Sequence, residues 1–161
     1  MKTKIKLLAM ALSAVMGLSP GILLASEGHE QGEGKEVKIP DSVGGIWQEI
    51  QEHKEGLAKT IKDKKLADVH KVAFEIRDFA KALPEKSKDL PPEKLGRVQS
   101  SVKQIEKLAA DLDSTGDAGD QAGTEANFKK LEGVLKLIEA QYPAEMLKAA
   151  GEKPEHSEHH D

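Results

Sequence analysis

The chain has no cysteine in 161 residues. That absence excludes disulfides, thiol chemistry and covalent haem attachment through a C-x-x-C-H motif. It also excludes a lipid-modified cysteine near the N-terminus, and it leaves the chain indifferent to an oxidising compartment. No Gly-rich phosphate loop is present, and no Ser–His–Asp arrangement can be placed. Acids are plentiful but fall as surface charge, so the chain reads as a non-enzyme. No segment alternates polar with β-branched residues, which argues against a sheet.

What is present begins with a secretion signal. Lys2, Lys4 and Lys6 precede an uncharged apolar run, Leu7 to Leu18 (LLAMALSAVMGL). Ser19-Pro20-Gly21 breaks it, and Ile22 to Leu24 lead to the small residue Ala25. Charge, apolar run, breaker and small residue in that order define a cleaved signal peptide. The competing reading is an uncleaved anchor. Leu7 to Ala25 barely reaches the roughly 20 residues a span needs, and Pro20 interrupts it. Cleavage leaves a chain of about 136 residues, periplasmic or secreted, with no stable membrane insertion. It also removes three of the 24 basic residues and no acid, leaving 21 against 28, a balance of −7. That sign disfavours nucleic acid and anionic membranes and is compatible with cations.

The exported chain divides by composition. Residues 26–39, with the run SEGHEQGEGKEVK, have almost nothing to bury and read as a disordered linker. Residues 40–143 are the expected folded domain. Residues 144–161 read as a short helix followed by a disordered tail, GEKPEHSEHHD.

Four helical stripes fill the domain. Helix 1 is expected over about Ser42 to Asp63, capped by Asp41 or Ser42, with Val43, Ile46, Trp47, Ile50, Leu57 and Ile61 inward. Helix 2 is expected over about Leu66 to Leu83, stopped by Pro84, on the stripe Leu66, Val69, Ala73, Ile76, Ala80, Leu83. Pro91-Pro92 opens helix 3, with Leu95, Val98, Val102, Ile105, Leu108 or Ala109, and Leu112 inward. Asp113 to Gly123 (DSTGDAGDQAG) reads as a turn-rich connection. Helix 4 is expected over about Thr124 to Gln141, with Phe128, Leu131, Val134, Leu135, Ile138 and Tyr142 inward. The fold class is all-α, an antiparallel up-down-up-down four-helix bundle. That path places Trp47 and Tyr142 at one end.

Leu108 to Pro143 resembles the last two helices of soluble cytochrome b and cytochrome c-prime bundles. The core, through IPDSVGGIWQEIQEH, VHKVAFEIRDFAKALP and Gly116 to Asn127, resembles small exported four-helix-bundle proteins associated with heavy-metal efflux. The cytochrome resemblance implies a haem-ligating His near the end of the last helix, where this chain has Gln141-Tyr142-Pro143. Only Met146 survives removal of the signal, so haem ligation is not expected. The efflux resemblance implies a metal-binding or metal-buffering accessory with a protein partner in an efflux system. A structural or partner-binding bundle without cofactor is the alternative, and a haem or redox bundle is the least favoured reading.

All six histidines lie beyond the signal. His53 falls on the stripe of helix 1 and His70 beside that of helix 2. In a hairpin turning near Lys64 their axial offset is about 7 Å, so sharing an ion needs tilt or a third ligand. Glu75 is level with His53, and Glu49 is one turn before it. His53, His70 and one of these carboxylates would suit Cu²⁺, Zn²⁺ or Ni²⁺. The plainer alternative, two neutral histidines held by hydrogen bonds, is favoured by the lack of a tight i, i+4 pair. His156, His159 and His160 in the tail form a separate, unorganised set that His29 could join. Asp111 to Gly116 looks like the start of a calcium loop, but Ala122 stands where the bidentate Glu is required.

Overall fold

The computed structural model describes residues 37–148. The signal, most of the linker and the tail histidines therefore lie outside the described residues. Four helices carry the domain: α1 (Val43–Lys62), α2 (Val69–Lys86), α3 (Pro92–Asp117) and α4 (Gln121–Glu139). A 3₁₀ turn, Leu66–Asp68, precedes α2, and a short α5 (Ala144–Lys148) follows α4. No strand occurs among the described residues. No described helix is long and apolar enough to cross a membrane.

The stripes fold as periodicity demands. Ile46, Ile50, Leu57, Val69, Ile76, Leu83, Val98, Leu112 and Ile138 are completely buried. Each such side chain removed from water stabilises the fold by about 1.5–3 kcal/mol. Helix α2 packs on α1 and α3, α3 packs on α4, and α5 lies against α1. At one end Lys86 reaches Asp41 at 3.3 Å, and the Tyr142 hydroxyl meets Ser87 Oγ at 2.7 Å. At the other, Gln121 Nε2 donates to the Ile61 carbonyl at 3.0 Å.

Boundaries differ from expectation where tertiary contacts decide. Ser42 is the cap of α1, its Oγ accepting from the Gly45 N–H at 3.1 Å. Pro84 sits inside α2 rather than ending it. The Ser87 hydroxyl donates to the Leu83 carbonyl at 2.5 Å and closes the helix three residues later. Helix α3 runs on to Asp117, through residues expected to form a turn. Thr115 Oγ1 back-bonds to the Asp111 carbonyl at 2.9 Å along this extension. Gly116 permits it, because a Cβ there would lie 2.8 Å from the Leu66 carbonyl oxygen.

Both turns at that end share one chemistry. After α1, the Lys64 N–H bonds the Ile61 carbonyl and the Lys65 N–H bonds that of Thr60, each at 3.0 Å. After α3, the Gly119 N–H bonds Gly116 and the Asp120 N–H bonds Thr115, each at 2.9 Å. These are Schellman closures, which need a left-handed residue. Gly119 supplies it at φ +67°, but Lys64 adopts φ 58° with a Cβ. Asp120 then caps α4, its carboxylate accepting from the Gly123 N–H at 2.9 Å.

Candidate metal-binding sites

His53 projects from α1 between the buried Ile50 and Leu57 and remains 26% exposed. Its ring packs on Phe79 of α2, with centroids 5.1 Å apart and planes tilted by 57°. Nδ1 lies 2.8 Å from the Glu49 carbonyl oxygen. A carbonyl can only accept, so Nδ1 carries the hydrogen and donates it. That leaves Nε2 of the neutral ring as a lone pair. Nε2 lies 3.3 Å from Glu75 Oε2 on α2. Lone pair and carboxylate are both acceptors, so their approach calls for a cation, either a proton or a metal ion. A tetrahedral ion with N and O ligands at about 2.0–2.1 Å separates them by roughly 3.3 Å. The Glu49 carboxylate is 3.8 Å from Nδ1, on the side already occupied by the backbone contact.

His70 is placed elsewhere. It is exposed in the first turn of α2, and its Nδ1 lies 2.9 Å from the Ala67 carbonyl oxygen. Its neighbours are Asp113 and Asp117 of α3, and one potential ligand atom from each of the three lies within 4.8 Å of the others. The structure thus brings His53 to Glu75 and His70 to α3. Among the described residues no cluster of three metal-ligating groups contains both histidines. His156, His159 and His160 lie outside the described residues.

Asp113 and Asp117 are the residues that sequence reasoning missed as a pair. Read as a turn, Asp113 to Gly123 gives its acids no common face. Once α3 continues to Asp117, a spacing of four puts both carboxylates on one side of the helix. That spacing was the available signal. Beside them an open cleft of about 650 Å³ is lined by Lys64, Lys65, Leu66, Asp117, Gly119 and Gln121, among others.

No protein-family model, no curated protein and no solved structure matches this chain.

Proposed function

We propose that this chain is an exported, non-enzymatic bundle of up-down-up-down topology that binds a divalent transition-metal ion. Its role is that of a buffering or accessory protein, with a protein partner in metal efflux. One observation carries metal binding: His53 Nε2 faces Glu75 Oε2 at 3.3 Å while Nδ1 is held by a backbone carbonyl. A histidine whose second nitrogen donates to a carbonyl has the tautomer and fixed ring of a metal ligand. Solvent completes the coordination, and both side chains are exposed enough for an ion to enter, at 26% and 23%. Cu²⁺, Zn²⁺ and Ni²⁺ suit an imidazole–carboxylate pair.

The end-to-end contacts support the topology. Asp41–Lys86 and Ser87–Tyr142 join the start of α1 to the ends of α2 and α4. Gln121–Ile61 joins the start of α4 to the end of α1. Export rests on the order of charge, apolar run and small residue in the first 25 positions.

The second reading, a cofactor-free structural or partner-binding bundle, rests on the same pair with a proton between the acceptors. Calorimetric titration with Cu²⁺, Zn²⁺ and Ni²⁺ separates the two. A His156→Asn, His159→Asn, His160→Asn background removes the tail histidines from the measurement. A saturable component that disappears in His53→Gln supports the metal at this pair. Absence of a His53-dependent component leaves the proton between the two acceptors.

A further inference from the structure

We infer that His70, Asp113 and Asp117 form a second divalent transition-metal site, which clips the start of α2 to the end of α3. It is independent of the His53–Glu75 pair and adds a three-ligand centre to that two-ligand one.

Two observations point to a cation there. The first is the donor set. His70 Nδ1 donates to the Ala67 carbonyl at 2.9 Å, which leaves Nε2 with its lone pair. One imidazole nitrogen and two carboxylate oxygens converge within 4.8 Å. Ligands of a bound ion sit roughly 3.3 Å apart, so small rotations of the exposed His70 and Asp117 and the half-buried Asp113 close the site. Three protein ligands leave coordination positions open to water.

The second is electrostatic. Asp113 and Asp117 are like charges at i, i+4, a destabilising spacing. They also lie toward the C-terminal end of α3, where the helix dipole is negative, and its last turn holds no basic residue. Asp111, nearby, is paired with Lys107 at 2.8 Å. Asp113 and Asp117 form no ion pair among the described residues. Lys64 and Lys65 share the adjoining cleft with Asp117 but form no ion pair with either acid among the described residues. A divalent ion neutralises both carboxylates at once. The donor set, mixed nitrogen and oxygen, favours Zn²⁺, Ni²⁺ or Cu²⁺ over Ca²⁺ or Mg²⁺.

The test follows imidazole resonances of the full chain by NMR during Zn²⁺ titration, which resolves His70 from every other histidine. His70 signals should shift and saturate. Asp113→Asn and Asp117→Asn should each weaken that binding by about tenfold or more. Thermal melts supply a second readout with opposite signs. Without metal, Asp117→Asn should melt higher than wild type, because a like-charge contact is relieved. With Zn²⁺, its gain in melting temperature should be smaller than that of wild type. His53→Gln should leave the His70 titration unchanged, so failure of the His53–Glu75 reading is seen separately. Unmoved His70 signals in excess Zn²⁺ would overturn the site. So would titrations unaffected by either Asn substitution, which would mean that His70 binds alone. Loss of the His70 response in His53→Gln would mean one shared site and would overturn the second.

Discussion

His53 Nε2 and Glu75 Oε2 face each other at 3.3 Å across the seam of α1 and α2, with the opposite ring nitrogen tied to the Glu49 carbonyl. Two acceptors at that distance need a cation. Replacing one acceptor by a donor should remove the need. In Glu75→Gln the amide can donate to Nε2, so stability without metal should stay within about 0.5 kcal/mol of wild type. Metal affinity should fall by about tenfold or more. A loss of roughly 1.5–3 kcal/mol in metal-free protein would instead indicate a charge-assisted imidazolium–carboxylate bond.

Tyr142 is a buried phenol whose hydroxyl meets Ser87 Oγ. Burial raises its pKa above the usual 10.0, and the Ser87 hydrogen bond partly opposes the rise. A raised folded-state pKa gives stability that is full below the unfolded value. It is lost as pH climbs through the folded value, because the unfolded chain then releases the proton first. Chemical denaturation of wild type should therefore show falling stability above about pH 10, and Tyr142→Phe should flatten that limb. At neutral pH the same substitution should cost about 1 kcal/mol, since Ser87 keeps its bond to Leu83.

Lys64 holds φ 58° to close the turn after α1. The left-handed conformation costs an L-residue about 1–2 kcal/mol, and glycine avoids most of it. Lys64→Gly should raise stability by roughly 0.5–1 kcal/mol after the glycine's greater unfolded-state entropy is counted. A lower melting temperature would show that the lysine side chain compensates for its backbone.

Gly116 is the opposite case. A Cβ there meets the Leu66 carbonyl oxygen at 2.8 Å and Val69 Cβ at 3.3 Å. Backbone cannot yield cheaply, so Gly116→Ala should destabilise by about 1–3 kcal/mol despite alanine's better helix propensity. It should also weaken Zn²⁺ binding at His70, because α3 would move away from the start of α2. Unchanged denaturation midpoints would remove the close approach of α3 from the explanation of its length.

Much of the helical core is legible in apolar spacing. The stripe from Val69 to Leu83 is buried at Val69, Ala73, Ile76, Ala80 and Leu83, as a bundle helix requires. Leu66 falls in the 3₁₀ turn and is only half-buried. Helix ends were less legible. Asp113 to Asp117 has turn composition, yet the contact of Gly116 with Leu66 and Val69 holds it helical. Pro84 lacks a donor, yet the Ser87 hydroxyl closes the turn beyond it. The same contrast separates the two histidine sites. The level placement of Glu75 opposite His53 follows from hairpin register alone. The partners of His70 depend on how far α3 runs, which local propensity does not reveal.

The most direct measurement is a Zn²⁺ titration of the imidazole resonance of His53, with Cu²⁺ and Ni²⁺ compared by calorimetry. A metal ion between His53 and Glu75 predicts a saturable shift of the His53 signals that Glu75→Gln weakens by about tenfold or more. A His53 signal that moves with pH but not with metal would contradict the metal site, and it would leave a proton bridging the two acceptors.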